Sequence, residues 1–314
     1  MLGFSPEILD KLRQLEAKYQ AMGQDINSYL EGLLHADFLK YWDYINLDTL
    51  LTLQQPRTNF HDEKTFIIYH QITELYFKLI INELEIMTQQ TPSKDLFLKH
   101  IPRINRYIDH LTDSFAIMKE GMDKEQFLAF RMSLLPASGF QSAQYRFIEI
   151  MCTDAINLVA VGKRKELADA SLREQYDNFY WKRGGIELAT GNKTLTLRQF
   201  EEKYTDDFLK LLDQIRETNL WQRFQQLLEP DRNDPEVVGL MREFDFTLEV
   251  RWPMVHYKTA ARYLHKAPED IAATGGTNWQ KYLPPHNQMI QLYPGLWSEE
   301  ERRDWGVKLS HQSI

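Results

Sequence analysis

The stretch FHDEKTFIIYHQITELYFK, residues 60–78, joins helix-forming residues to an apolar face that carries a histidine. Because residues three and four apart share one face of a helix, Phe66, His70 and Phe77 lie along the same side. A histidine in this setting can ligate a metal, carry a proton or bind a flat aromatic ligand, and it can also be an ordinary buried histidine. The stretch therefore predicts a long helix and leaves the chemistry of His70 open.

Helical patterns continue along most of the chain. Glycine and proline are few, 14 and 12 in 314 residues, and neither clusters into a linker. We expect an all-α fold: one large helical bundle over residues 1–314, with an N-terminal helical arm at 1–40 and a short irregular insertion at about 162–200. Only KTLTL, residues 193–197, alternates in the way that predicts a strand.

Composition excludes several classes of protein. A net charge of −8 argues against nucleic acid as the main partner. No stretch approaches the roughly 18–20 consecutive apolar residues of a membrane-spanning helix, and the first residues lack the pattern of a secretory signal. The single cysteine, Cys152, excludes an internal disulfide and a multi-cysteine zinc site. We expect a cytoplasmic protein in which any metal is held by histidine and carboxylates or belongs to a prosthetic group.

A second informative segment is FLAFRMSLLPASGFQS, residues 127–142. Arg131 lies one helical turn after Phe127 among apolar neighbours, where a guanidinium needs an anionic partner. That partner is either a protein carboxylate or a ligand carboxylate received by both arms of the guanidinium fork. The following PASG, which includes Ser138 and Gly139, breaks the helix with small residues that permit close approach by a planar ligand.

The third segment surrounds a second histidine. His256 has Trp252 one turn before it and the small Ala260 one turn after it, which leaves room for a flat group. Pro253 within this helical pattern predicts a helix start or a kink. Further on, AATGGTN (residues 272–278) can present backbone N–H groups and Thr274 to a polar ligand.

Two kinds of iron site fit these residues. His61 and Glu63 could join a distant histidine in a non-haem site of two histidines and one carboxylate. Alternatively, one histidine ligates haem iron axially while the other stands over the opposite face of the haem. The residues alone leave both possibilities open.

Several segments taken together resemble one known family, the tryptophan 2,3-dioxygenases. They run in family order over about residues 40–297: YWDYINLD (41–48), HDE (61–63), FIIYHQ (66–71), ELYFK (74–78), FR (130–131), LPASGFQS (135–142), QYR (144–146), Trp252, His256, Arg262 and TGGT (274–277). Separate motifs in register are more specific than any one of them.

The resemblance implies a b-type haem and assigns residues to it. His256 would be the proximal ligand of the iron, with Trp252 behind it and Ser138 and Gly139 near the haem edge. His70 would stand on the distal side as the catalytic residue that accepts a hydrogen bond from the indole N–H of the substrate.

The resemblance also implies the substrate contacts and the reaction. Phe66 would pack on the indole, Arg131 and Thr274 would bind the amino-acid end, and Tyr41 and Tyr44 would come from a neighbouring subunit of a homotetramer. Ferrous haem, O₂ and L-tryptophan would give N-formyl-L-kynurenine by cleavage of the indole C2–C3 bond, a reaction of tryptophan catabolism by the kynurenine pathway.

The sequence departs from the family pattern at a few positions. These are Trp42 beside Tyr41, Ala273 before the glycine pair, Asn278-Trp279 after the TGGT loop, Pro253 beside the proximal histidine, and an apparent insertion at residues 265–270. They leave open a related haem-dependent oxygenase that acts on a substituted tryptophan, another indole or tyrosine, and also a non-catalytic haem-binding relative.

Overall fold

The computed structural model describes residues 3–36, 40–134, 141–187, 190–264 and 284–307. Nearly all regular structure in these ranges is helical, which confirms the predicted all-α class. The helices are α1 Pro6–Ala21, α2 Ile26–Leu34, α3 Tyr41–Tyr44, α4 Leu47–Leu50, α5 His61–Gln89, α6 Lys94–Glu120, α7 Lys124–Phe130, α8 Ala143–Cys152, α9 Ala155–Leu158, α10 Leu172–Asp177, α11 Leu195–Gln214, α12 Leu220–Gln225, α13 Glu229–Arg232, α14 Pro235–Phe246, α15 Trp252–Leu264, α16 Pro285–Gln288 and α17 Glu299–Arg303. Short 3₁₀ segments cover Arg131–Leu134, Val161–Lys163, Tyr180–Gly185 and Pro294–Leu296. Within the same ranges, no helix is long and apolar enough to cross a membrane.

By its internal contacts the chain divides into residues 1–55 and 56–314. The first unit contains α1–α4, and none of these helices contains a buried residue. α1 begins as its sequence predicts, because the Ser5 hydroxyl accepts a hydrogen bond from the N–H of Ile8 and Pro6 occupies the first turn. The first unit reaches Gln55 and so includes the arm expected at residues 1–40.

The second unit is organised around the long helices α5 and α6. The connection between them is short, and Ser93 caps α6 by accepting a hydrogen bond from the N–H of Leu96 at 3.2 Å. Ile80 and Leu84 of α5 are fully buried, as are Ile101 and Ile104 of α6. α7, α8, α14 and α15 pack against this pair. The apolar face of α5 is therefore buried from Phe77 onward, while Phe66 is partly buried and His70 is exposed.

A π turn, Thr247–Arg251, joins α14 to α15 just before Pro253. The N–H of Trp252 bonds to the carbonyl of Thr247, five residues back. In this register the next donor would be Pro253, which has no N–H, so the carbonyl of Leu248 loses its partner. The hydroxyl of Tyr145 donates to that carbonyl at 2.8 Å. α15 begins at Trp252, so Pro253 stands in its first turn, in agreement with the predicted helix start, and the π turn joins it to α14.

The predicted strand at residues 193–197 is wrong. Thr194 caps α11 by accepting a hydrogen bond from the N–H of Leu197 at 3.2 Å, and the helix begins at Leu195. Leu197 then belongs to a buried helical face that continues with Phe200 and Phe208. The alternation reflected a threonine cap followed by the first apolar position of a helix, and Lys193 pairs with Ile186 only in an isolated bridge.

Asp245 fastens the C-terminal segment to α14. Its fully buried carboxylate accepts hydrogen bonds from the N–H groups of Leu292 at 2.8 Å and Tyr293 at 3.1 Å, and from the indole N–H of Trp297 at 2.8 Å. Burial raises the pKa of Asp245 from 3.8 to about 6, against the opposing effect of these donors. The charged form is therefore less favourable in the folded protein than in the unfolded chain.

The pH dependence of stability tests this feature. Because the folded pKa lies above the unfolded value, the contribution of Asp245 is fully present below pH 3.8 and is lost as pH rises to about 6. The loss is of order 3 kcal/mol. Asp245→Asn should remove this decrease in the free energy of unfolding between pH 3.8 and about 6, as measured by urea titration at several pH values. It should also lower stability by about 1–3 kcal/mol, since an amide offers one acceptor oxygen to three donors. An unchanged slope in the variant would contradict the assignment.

Candidate functional site

The start of α5 is fixed by two buried acidic residues. Asp62 accepts a hydrogen bond from the N–H of Asp123 at 2.6 Å, which joins the starts of α5 and α7. The two carboxylate oxygens of Glu63 accept from the N–H groups of Arg57 at 2.8 Å and Thr58 at 2.7 Å. Burial raises the pKa of Glu63, but the Thr58 hydroxyl and these N–H groups outweigh it and hold the pKa below its usual value. Both acids are therefore occupied in positioning the helix.

These contacts bear on the non-haem iron alternative. Both carboxylate oxygens of Glu63 accept hydrogen bonds from backbone N–H groups that precede α5. The side chain of His61 is 87% exposed. Within the described ranges, no three histidine, cysteine or acidic side chains come together in an arrangement that could hold a metal ion. The structure gives no support to a site built on His61 and Glu63.

His70 has one nitrogen occupied by its own helix. Its Nδ1 lies 2.7 Å from the carbonyl oxygen of Phe66, and because a carbonyl can only accept, Nδ1 carries the hydrogen. In the neutral imidazole the lone pair is then on Nε2, which acts as an acceptor. The rings of Phe66 and His70 lie 4.0 Å apart between centroids. The pair presents an aromatic surface with one hydrogen-bond acceptor beside it.

The surroundings of His70 keep it neutral. The His70 residue is exposed, yet the protein groups around it lower its pKa, mainly by keeping water from the charged form of the ring. The hydrogen bond to Phe66 and the charge of Glu74 oppose the effect without cancelling it. Since the pKa is below 6.5, the ring is mostly uncharged at neutral pH.

Aromatic rings from α7 continue the surface of Phe66. The ring of Phe66 lies 6.3 Å from Phe127 and 5.8 Å from the fully buried Phe130, measured between centroids. Arg131 follows directly, where α7 passes into a 3₁₀ turn. Its Nε is buried without a hydrogen-bond partner, and none of the described carboxylates forms an ion pair with it. The expectation of a salt bridge to a described protein carboxylate is therefore not supported.

A chain of aromatic contacts leads from His70 to His256. The centroid distances are 5.9 Å from His70 to Tyr69, 5.5 Å from Tyr69 to Phe115, and 5.8 Å from Phe115 to His256. Phe115 also lies 4.7 Å from Trp252. The histidines of α5 and α15, far apart in sequence, thus border the same aromatic layer.

His256 has the properties of a nitrogen ligand. Burial, and secondarily the charge that His70 would carry, lower its pKa to about 4, so it is neutral at pH 7. Among the described residues, no hydrogen bond reaches either of its ring nitrogens. A neutral imidazole that packs against the ring of Phe115 and has no polar partner among the described residues can ligate the metal of a flat cofactor.

Two residues hold α15 in this position. Trp252 is buried and packs edge to face with Phe77 of α5 at 6.0 Å. The hydroxyl of Tyr263 donates to the carbonyls of Met118 and Met122, the latter at 3.1 Å, at the junction of α6 and α7. The helix that carries His256 is therefore fixed at both ends.

The structure brings together only part of the predicted site. Phe66, His70, Arg131, Trp252 and His256 all belong to the second unit, at the interfaces of α5, α6, α7 and α15. Tyr41 and Tyr44 lie on α3 of the first unit with side chains 71% and 74% exposed. The predicted residues Ser138, Gly139 and Thr274 lie outside the described residues, as do Ala273, Asn278, Trp279 and the apparent insertion at 265–270.

Phe115 and Tyr69, which connect the two histidines, were not predicted as site residues, although Tyr69 lies within the FIIYHQ segment at 66–71. Both occupy buried positions on apolar faces of long helices, like many of their neighbours. No local signal distinguishes them from ordinary core residues, because their importance comes from contacts with a different helix.

Comparison with known proteins supports the same family as the motifs. The sequence model of the tryptophan 2,3-dioxygenase family matches residues 32–229, a range that includes Phe66, His70 and Arg131 and ends before His256. The chain is 28% identical over 278 residues to tryptophan 2,3-dioxygenase of Ruegeria sp. (strain TM1040), covering 84% of this chain and 92% of that protein.

Two shorter alignments show higher sequence identity. Identity is 35% over 150 residues with the Shewanella woodyi enzyme of the same name, covering 46% of this chain and 52% of the relative. It is 40% over 125 residues with that of Geobacillus thermodenitrificans, covering 38% and 44%. With the family model matching well over half of its length, this chain belongs to the tryptophan 2,3-dioxygenase family.

Proposed function

We propose that this protein is a haem-dependent dioxygenase that cleaves the indole C2–C3 bond of L-tryptophan with O₂ and releases N-formyl-L-kynurenine. The observation that carries the proposal is the pair of neutral histidines on one aromatic layer. His70 offers a single acceptor nitrogen, and His256 offers an unpartnered ligand nitrogen. His70 can accept a hydrogen bond from an N–H group of the substrate while His256 binds a metal.

The described residues fit haem b. His256 would hold the iron, with Phe115 against its ring and Trp252 against Phe115, and Ser138 and Gly139 are expected near the haem edge. When bound, haem supplies an iron centre at which O₂ is activated. The protein contributes the ligand, the aromatic surroundings and the orientation of the substrate.

The substrate contacts follow from the same side chains. Nε2 of His70 would accept the indole N–H, and Phe66 would pack on the indole plane beside it. Arg131, whose buried Nε lacks a partner among the described residues, would receive the carboxylate, because an anion pairs with a guanidinium in charge-assisted hydrogen bonds. Thr274, Tyr41 and Tyr44 are expected to complete the amino-acid site.

His70 acts in this proposal by orientation. A neutral imidazole with its hydrogen on Nδ1 accepts the indole proton in a hydrogen bond and has no proton to give at Nε2. The bond fixes which edge of the indole faces the reacting oxygen. Both oxygen atoms of O₂ enter the product, so each turnover needs no external reductant.

The wider assignments are also proposals. We expect a cytoplasmic homotetramer in which Tyr41 and Tyr44 of one subunit reach the site of another. The family match and the absence of a membrane-spanning helix in the described ranges are compatible with this arrangement.

One spectroscopic experiment tests cofactor and reaction together. The purified protein should show the Soret band of haem, and the reduced protein mixed with L-tryptophan and air should accumulate the absorbance of N-formylkynurenine. His256→Ala should lose stoichiometric haem, because the proximal nitrogen is gone. A variant that retains full haem would refute the ligand assignment. A missing Soret band in the natural protein would refute haem. Haem without product from tryptophan, but with turnover of a substituted tryptophan or tyrosine, would refute the substrate.

Arg131→Ala tests recognition of the carboxylate. Loss of a charge-assisted hydrogen bond should weaken L-tryptophan binding by about ten- to a hundredfold. Binding of indole, which has no carboxylate, should change little. Both can be measured by titrating the haem spectrum. Arg131→Lys, which keeps the charge but not the fork, should fall between the two. Equal losses for tryptophan and indole would exclude the proposed contact.

The tautomer of His70 can be checked without cofactor or substrate. Long-range ¹H–¹⁵N spectra of the apoprotein, assigned with His70→Gln, should show the hydrogen on Nδ1. The titration midpoint of this ring should lie below 6.5, because burial disfavours the charged imidazolium. A hydrogen on Nε2, or a pKa above 6.5, would remove its role as acceptor of the indole N–H.

A further inference from the structure

We propose that Phe115 is a positioning residue that orients the imidazole of His256 toward the iron, a task that histidine ligands usually leave to a hydrogen-bond acceptor. This inference rests on the proposed function, since it concerns the ligand of the haem. It assigns a role to a residue of α6 that lies outside every motif of the sequence.

The contacts of Phe115 place it between the two histidine-bearing helices. Its ring meets the ring of His256 edge to face at 5.8 Å, at an interplanar angle of 67°. The same ring lies 4.7 Å from Trp252, one turn earlier on α15, and 5.5 Å from Tyr69 on α5. Rotation of His256 in one direction is therefore limited by the edge of a ring that is itself enclosed.

Phe115 is held firmly enough to act as such a stop. The hydroxyl groups of Tyr69 and Ser114 lie 3.2 Å apart, which fixes Tyr69 against α6 beside Phe115. Ser114 in turn donates to the carbonyl of Leu111 at 2.7 Å. On the other side, Trp252 is packed by Phe77 at 6.0 Å. The Phe115 side chain is 5% exposed, so it has little space in which to move.

The need for this residue comes from the missing polar partner of His256. A metal-binding histidine ordinarily donates its second N–H to a carboxylate or carbonyl, which fixes the ring and raises its basicity. No described residue makes such a bond to His256. Among the described residues, packing is then what limits rotation of the ring, and Phe115 is the aromatic side chain in contact with it.

The test compares two phenylalanines of the same helix. Phe115→Leu removes the ring edge that meets His256. Phe97→Leu is the matched control, because Phe97 is also a buried residue of α6, at 0% exposure, and packs on Phe224 at 6.1 Å. Phe115→Met is a second variant, which removes the ring but nearly conserves the side-chain volume. It tests the role of the ring if Phe115→Leu fails to fold.

Two readouts separate positioning from general packing. Transfer of haem to excess apomyoglobin should be faster by about tenfold or more in the Phe115 variants, the range seen when the support of a ligand is removed. The iron–histidine stretching band of the ferrous protein, recorded by resonance Raman, should shift or broaden in these variants. Phe97→Leu should lower the midpoint of unfolding. It should change the rate of haem transfer by no more than about twofold and shift the iron–histidine band by less than its width.

The outcomes distinguish this inference from the function on which it rests. If both positions change haem transfer and the band equally, or if neither does, Phe115 has no positioning role while haem binding stands. If the natural protein binds no haem, the proposed function fails first. A shifted band and faster haem loss confined to the Phe115 variants support the assignment.

Discussion

Much of the second unit depends on one missing hydrogen, the N–H that Pro253 lacks. The helix that would break there continues through a π turn at Thr247–Arg251, and the hydroxyl of Tyr145 binds the carbonyl of Leu248 left without a donor. A π turn adds one residue, and each residue rotates a helix by about 100°. The extra residue turns α15, and with it the face that carries His256, by about 100° relative to an uninterrupted helix.

An aromatic layer then gives the two histidines different properties. His70 has Nδ1 bound to the carbonyl of its own helix, which leaves Nε2 as its one acceptor. His256 has no polar partner among the described residues and is enclosed by Phe115 and its neighbours, so its pKa falls to about 4. Both are neutral at pH 7 for the same reason, burial, yet one is suited to recognition and the other to ligation.

The sequence predicted the helical faces and caps that depend on neighbours along the chain. α5 begins at His61, within the stretch 60–78 that predicts a long helix, and α1 begins at Pro6 directly after the capping Ser5. The strand predicted at residues 193–197 was wrong because a threonine cap followed by an apolar position imitates alternation. Glu63 was a possible metal ligand in the sequence, but its oxygens bind the backbone that precedes α5. Whether a carboxylate binds a metal or caps the backbone depends on which groups the fold places near it.

By itself, the sequence determined the all-α class, the family and the faces on which Phe66, His70, Arg131 and His256 stand, because helical periodicity and short motifs are local properties. The tertiary structure alone decided that α5, α6 and α15 meet through Phe115, and that Arg131 Nε finds no described partner. It also decided the lowered pKa values of both histidines. Each of these depends on desolvation and on contacts between distant segments, which no single stretch of the chain contains.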